Sequence, residues 1–432
     1  MHLLYWDEFV QKICCISPGQ VLSCTYQTAP AGRGGAWKEA GAKSMIFGIL
    51  KDIKEGEHRV ICTPIEVESI VAAGHTVWAQ HDCGKLAGFS DEAYVKAGAR
   101  IVETAEEMYA GCDMVAKVKE FEESEFGLIR KDQILLGCIH PAGHPAEVDA
   151  LLKSGCIAFT AEDAHRYGSP NCEAAGKEGA LLGLESMLTV NGGKGKYVGG
   201  FAGAPGMNVL ILGGGTVGQA ALQVLHALGA KCTVMDINVG ILRTLMNQYN
   251  GTIDTMFCNR ETIASVLPQT DMVLNCVKWP KERTDFLIDK EMLKLMEPGS
   301  VLVDISNDDP GAIESSHETH FDNPRYVVNG VVHYCVSNIP SGVANSTSVA
   351  YAAEMLPFIL SILNDGVAGC CVKDGFYRRS LTAYKGYLTH EETSAIQSRP
   401  WIRPEDILGI ADRALDPAPP ATVTRSNLFY EK

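Results

Sequence analysis

The chain has 432 residues, 46% of them hydrophobic and 21% charged, with a formal charge of −15. That length fits two domains of common size, and the acidic balance argues against a nucleic-acid partner, which needs clustered Lys and Arg. No run of about eighteen uncharged apolar residues occurs, so no membrane span is expected.

Residues 1–44 carry no clear period and read as a poorly ordered N-terminal extension outside the fold. MIFGIL, from Met45, is a buried strand followed by the polar loop KDIKEGEHR. Thr63-Pro64-Ile65-Glu66 then opens a helix, with a capping box and proline in its first turn. That helix is expected to bury Val67, Ile70 and Val71 and to stop near Gly74. TVWAQ follows as a strand, DEAYVKAGA as a helix, and DMVAKV and QILLGCI as strands. VDALLKSG and CIAFTAE add a helix and a strand. This alternation is the signature of a parallel sheet covered by helices.

A second set starts near residue 205. MNVLILGGGTVGQAALQVLHALGAKCTVMD reads strand, glycine turn, helix, strand, and DMVLNC and SVLVDIS add further strands. A loop over 338–348 closes this set, and SVAYAAEMLPFILSIL begins a long apolar helix. The remaining residues are too few for another domain and are expected to return to the first, with a disordered tail at the end. The fold class is therefore α/β with two doubly wound Rossmann-like domains, the second inserted in sequence within the first. The expected divisions are 1–44 extension, 45–170 first domain, 171–344 inserted domain, 345–410 first domain resumed and 411–432 tail.

The fifteen cysteines are dispersed. Many lie in apolar runs, as Cys138 and Cys276 do, where Cys acts as a small hydrophobe. None forms a C-x-x-C pair, and no histidine, His333 included, shows metal-ligand spacing, so no metal is expected. Reduced thiols in a cytoplasmic setting are the expectation.

Gly213, Gly215 and Gly218 form G-x-G-x-x-G directly after the strand NVLIL. The first glycine permits a tight turn, the second lets backbone approach a pyrophosphate, and the third lets helix and strand pack closely. The helix N-terminus offers free N–H groups to the phosphates. Asp236 ends the next strand at the spacing expected for a ribose-binding acid. It favours NAD over NADP, because a carboxylate about 4 Å from a 2′-phosphate costs several kcal/mol at an effective dielectric near 20. The basic stretch GGKGK at 192–196 lacks the upstream glycine of a phosphate-binding P-loop and reads as a plain loop.

In open parallel sheets, ligands bind beyond the carboxyl ends of the strands. Arg59, Lys119, His140 and Asp308 all fall at such ends. Each has a plainer reading: Arg59 as a surface charge, Lys117 and Lys119 as a solvated strand end sharing one face, His140 as a near-core imidazole and Asp308 as a turn former. Their joint placement beside a dinucleotide module points to a cleft that does chemistry.

These pieces together resemble the alanine dehydrogenase family, which shares its architecture with the α subunit of pyridine nucleotide transhydrogenase. The matching segments are EHRVICTP, KVKE, LLGCIHPA, GGGTVG, TVMDIN, PGSVLVDIS and HYCVSNIP. The resemblance implies that Arg59 and Lys119 hold a substrate carboxylate, that His140 is the acid/base, and that Asp308 assists. It also implies that Thr216, Val217, Asp236, Val277, Lys278, Asn338 and Ile339 line the NAD site. Cys172, in SPNCEAAGK, stands there where the family often has Ser. The implied reaction is reversible oxidation of L-alanine to pyruvate and ammonia by a cytoplasmic homohexamer working in L-alanine catabolism. The alternatives are an enzyme of the saccharopine or carboxyethylornithine dehydrogenase kind, a transhydrogenase-like NAD-binding subunit, and an NAD-binding protein without catalysis.

Overall fold

The run MIFGIL forms strand β1 (Ile46–Ile49), and Thr63 caps helix α1 (Pro64–Ala72) with the reciprocal Thr63–Glu66 bonds of a capping box. The computed structural model describes residues 44–280, 283–307 and 311–417. The expectation for residues 1–43, the role of Asp308 and most of the 411–432 tail lie outside the described residues. Helix α1 buries Val67 and Ile70, but Val71 is 37% exposed. Val71 stands at the margin of the apolar stripe, beside Gly98.

The first set continues through β2 (Thr76–Gln80), α2 (Asp91–Lys96), β3 (Arg100–Val102), α3 (Ala105–Gly111), β4 (Met114–Ala116), β5 (Ile134–Gly137), α4 (Pro145–Ser154) and β6 (Ile157–Thr160). Helix α5 (Pro170–Ser186) then crosses to the second set. There follow β7 (Asn208–Leu212), α6 (Thr216–Ala227), β8 (Lys231–Asp236), α7 (Val239–Gln248), β9 (Asp254–Phe257), α8 (Arg260–Val266), β10 (Met272–Asn275), β11 (Val301–Asp304), β12 (Arg325–Val328) and β13 (Val331–Tyr334). Helix α9 (Ala344–Lys373), strands β14 (Leu381–Tyr384) and β15 (Tyr387–Leu388), and helix α10 (Glu391–Gln397) complete the chain's main elements.

The first sheet runs β15-β14-β6-β5-β4-β1-β2-β3 and the second β12-β13-β11-β10-β7-β8-β9. In each, six neighbouring strands are parallel, while β14, β15 and β12 pair antiparallel at an edge. Both parallel cores therefore follow the doubly wound order in which the chain reverses direction between the first and fourth strands. The central strands β4, β5, β6, β10, β11 and β13 are buried along their whole length, as sheets covered on both faces require.

Helix α9 is long and apolar enough, by length and composition, to cross a membrane, a candidate the sequence reading passed over. Here Tyr351, Met355, Phe358, Ile359 and Ile362 sit in the core of the first sheet. Its helical geometry breaks at Gly366, where φ is 69°. Part of the expected tail is also held, since Asp416 accepts from the Gly375 amide at 3.0 Å and from Arg166 at 2.6 Å. The cysteines of the described region are free thiols, most of them buried. The 192–196 loop is a plain loop pinned by Lys194 and Lys196, which pair with buried Asp271 at 2.7 and 2.6 Å.

Candidate active site

The reversal points of the two sheets place the candidate residues. Arg59 lies in the segment after β1 and Lys119 in the bend after β4, the two strands flanking the first reversal. His140 follows β5. In the second sheet the glycine turn follows β7 and Val277 and Lys278 follow β10, again the flanking pair.

Arg59 is almost fully buried and forms a fork on Glu57, with Nε to Oε1 at 2.8 Å and Nη2 to Oε2 at 2.5 Å. Burial opposes ionisation of Glu57, but the adjacent guanidinium outweighs it and holds the carboxyl below its usual range. The remaining contacts of Arg59 reach away from its own loop. Nη1 donates to Oδ1 of Asn171 at 2.8 Å, at the start of α5, and Nη2 to Oδ1 of Asn338 at 2.6 Å, beyond β13. The plain reading of Arg59 as a surface charge fails. It is the junction of the first sheet, the crossing helix and the connection that leaves the second sheet.

Lys117 and Lys119 do not form a shared solvated face. The strand ends at Ala116, so the alternation that would align them stops there. Lys117 is fully buried, with Nζ 2.7 Å from Glu125 and 3.8 Å from Asp52. Lys119 stays partly open, its amide donating to Asp52 at 2.8 Å and its ammonium 3.8 Å from Glu120. Of these two lysines, Lys119 is the one whose ammonium reaches solvent.

Glu120 also stands 3.3 Å from Nδ1 of His140 and 3.0 Å from Nζ of Lys54. Its own burial opposes ionisation, but the bond to His140 and the charges of Lys119 and Lys54 lower its pKa strongly. His140 occupies a left-handed backbone conformation, φ 47°, and its amide donates to Oε1 of Glu162 at 2.7 Å. Desolvation pulls the imidazole pKa down, yet Glu162 and Glu120 outweigh it and the net direction is up. Cys138, two residues earlier, is buried with its sulfur 3.3 Å from the hydroxyl of Tyr351 on α9.

The glycine turn has the steric form that a dinucleotide-binding turn requires. Gly213 has φ 93°, and a methyl group there would lie 3.0 Å from the carbonyl of Cys276. A Cβ on Gly218 would fall 1.8 Å from the carbonyl of Gly213, so only glycine allows this helix–strand contact. A Cβ on Gly215 would meet nothing within 4 Å, which leaves the helix start open to a phosphate. Thr216 is exposed and Val217 half-buried at that start. Asp236 ends β8, its carboxylate accepting from the amides of Gly214 and Asn238, each at 2.7 Å. Val277 is half-buried, Lys278 is exposed and 3.5 Å from Glu392, and Ile339 is buried. Cys172 lies in the first turn of α5, and burial pushes its thiol pKa up.

The structure thus gathers Arg59, Lys119 and His140 on the first sheet and ties Arg59 to Asn338. Glu57, Glu120, Glu162 and Asn171 escaped the sequence reading. Glu120 was signalled by its place beside Lys119, whereas Asn171 meets Arg59 across 112 residues and had no local signal. Away from the cleft, His81, Asp82 and Asp91 bring three potential metal donors together, but Lys85 already pairs with Asp82 at 2.8 Å.

Comparison with known proteins identifies a family. Residues 48–171 match the family model for the alanine dehydrogenase/PNT N-terminal domain, and residues 180–391 match that for its C-terminal domain. A protein of Methanococcus maripaludis named alanine dehydrogenase is 36% identical over 84% of this chain and all of its own length. One of Mycobacterium tuberculosis with the same name is 32% identical over 84% of this chain and again all of its own length. A solved L-alanine dehydrogenase superposes with a TM-score of 0.77 at 32% identity, covering 82% of this chain and 99% of that one. A transhydrogenase from Sinorhizobium meliloti shares the fold, with a TM-score of 0.65 at 21% identity over 80% of this chain and 99% of its own.

Proposed function

The chain belongs to the alanine dehydrogenase/PNT family, and from that membership we propose that it is an alanine dehydrogenase, converting L-alanine reversibly to pyruvate and ammonia with NAD. The observation that carries the reading is the edge of the first sheet. There Lys119 and His140 share Glu120, and Arg59 is bonded to a residue of the connection leaving the dinucleotide-binding sheet.

The turn at Gly213, Gly215 and Gly218, the start of α6 at Thr216 and Val217, and the Asp236 carboxylate would hold the dinucleotide, with Val277, Lys278, Asn338, Ile339 and Cys172 around it. NAD, when bound, accepts the hydride from the α-carbon. The rest is work for the chain's own side chains. Arg59 and Lys119 hold the substrate carboxylate, which turns a random encounter into an oriented one. Charge and geometry divide between them. Glu57 already balances Arg59, so Lys119 supplies the net positive charge and Arg59 the planar donor edge.

His140 accepts a proton from the substrate ammonium. That proton passes to solvent, and after hydride loss the again neutral imidazole takes a proton from the water that adds to the iminium carbon. The imidazole returns this proton to the amino nitrogen and, as ammonia leaves, accepts the hydroxyl proton, so that pyruvate remains. The backbone bond of His140 to Glu162 and its ring contact with Glu120 fix where these protons are taken. Asp308 is proposed, on the family resemblance, to assist at the same point. The homohexameric state and the cytoplasmic setting belong to the same proposal, and light scattering in solution measures the first.

The test is NAD reduction with a panel of L-amino acids, repeated for His140→Ala and Asp308→Asn. Alanine is expected to be the preferred donor, NADP to replace NAD poorly, and both variants to lose most turnover. Near-native rates in both variants, or preference for lysine or ornithine with a keto acid, would overturn the assignment.

A further inference from the structure

We propose that Asn338 is a positioning residue through which dinucleotide binding and capture of the substrate carboxylate are linked; this rests on the reading of the cleft given above. Asn338 leaves β13 in the left-handed conformation, φ 64°, just ahead of the short turn Ile339–Val343 that feeds α9. Its amide spans the buried ion pair. Oδ1 accepts from Nη2 of Arg59 at 2.6 Å, and Nδ2 donates to Oε2 of Glu57 at 2.9 Å.

A guanidinium has five N–H donors. Glu57 takes two of those on Arg59, Asn171 one and Asn338 one. A carboxylate ligand therefore meets an arginine whose planar edge is already assigned, and the direction of the open donor is set by the residues holding the others. Two of those holders, Glu57 and Asn338, are themselves bonded to each other.

The same connection fixes the loop on which Arg59 rides. Oγ of Ser341 donates to the carbonyl of Gly56 at 2.6 Å and accepts from the amide of His58 at 2.8 Å. Oγ of Ser348 accepts from the amide of Val60 at 3.0 Å. Where 338–348 sits thus decides where Arg59 points. A dinucleotide resting on Asn338 and Ile339 steadies this connection, and a steadied Arg59 binds a carboxylate at lower ordering cost. Linkage makes the effect reciprocal, so the carboxylate must tighten the dinucleotide by the same factor.

NADH and L-alanine form a pair that cannot react, so binding can be read without turnover. NADH fluorescence titrations of the full chain, with and without saturating L-alanine, give the coupling factor. Wild type is expected to bind NADH at least about fivefold more tightly with alanine present. Asn338→Gly keeps the left-handed backbone without strain and deletes only the amide, so coupling is expected to fall to within about twofold of unity. Asn338→Asp keeps an acceptor for Arg59 but sets a carboxylate against Glu57, and is expected to lose coupling as well.

A merely structural role would weaken each ligand separately and leave the coupling factor unchanged, and that result in the folded Gly or Asp variant overturns the proposal. So does a wild type that binds both ligands independently. A wild type that binds NADH but does not oxidise alanine instead overturns the functional reading on which the proposal stands.

Discussion

Nδ1 of His140 lies 3.3 Å from Oε1 of Glu120, a carboxylate that also faces the ammonium groups of Lys119 and Lys54. In the oxidative direction the imidazole must be neutral to accept a proton, so kcat/KM rises with pH through the His140 pKa. That pKa is raised, because Glu162 and Glu120 outweigh the desolvation that lowers it. Glu120→Gln removes one of the two charges and is expected to move the acidic limb of the pH profile down by about one unit. The profile of kcat/KM for alanine checks this, and a limb that stays in place denies Glu120 its role.

The two lysines of KVKE separate a fold role from a ligand role. Lys117→Met leaves Glu125 and Asp52 facing each other in the core without their cation, a loss of about 3–5 kcal/mol for a broken buried pair. Urea unfolding is expected to show it as a lowered midpoint. Lys119→Met removes a partly open charge whose nearest carboxylate is 3.8 Å away, so stability should change little. Its kcat/KM for alanine should instead fall about 10–100-fold, the worth of one charge-assisted hydrogen bond. Equal stability losses in both variants would contradict the division.

Much of this was legible in the sequence because strand ends announce themselves. A buried apolar run followed by a polar residue locates the carboxyl edge of a parallel strand, and Arg59, Lys119 and His140 were each found that way. The glycine spacing was legible because steric demands on Gly213 and Gly218 are local. What escaped were contacts between distant segments. Arg59 meets Asn338 across 279 residues, and no window of sequence carries that signal. The expected common face of Lys117 and Lys119 failed for a local reason, since the strand stops at Ala116 and alternation cannot be extended past it. The long apolar helix α9 was seen, but its break at Gly366 was not, since glycine inside a helix signals only a weak preference.

The glycines of the turn predict two different failures. In Gly218→Ala the new methyl group would sit 1.8 Å from the Gly213 carbonyl, so the turn or the helix must move. The expected result is a lower melting temperature together with lost NADH binding. In Gly215→Ala the methyl group meets nothing within 4 Å of the chain, at the helix start proposed above to take a phosphate. That variant should melt like wild type yet bind NADH at least about tenfold more weakly, a change of about 1.4 kcal/mol. Unchanged NADH affinity in a well-folded Gly215→Ala protein would move the phosphates elsewhere.

Glu147 supplies a prediction about stability alone. It is buried behind the His140 loop, with Oε1 accepting the Phe121 amide at 2.8 Å and Oε2 3.8 Å from Nδ1 of His144. Burial pushes its pKa up to about 9, and the nearby charges of Glu120 and Glu162 push the same way against the Phe121 bond. A carboxyl with a raised folded pKa keeps its proton in the native state after the unfolded chain has lost it. Stability therefore falls as pH rises from the ordinary Glu range toward 9 and levels off above that. Glu147→Gln carries the same shape without the titration, so this fall should be absent from the variant. The variant is expected to gain on wild type by about 2–4 kcal/mol between pH 5 and pH 8.5. Melting temperatures or urea midpoints across that range decide it. A constant difference at every pH would show that Glu147 is ionised in the folded chain, paired more closely with His144 than its 3.8 Å separation allows.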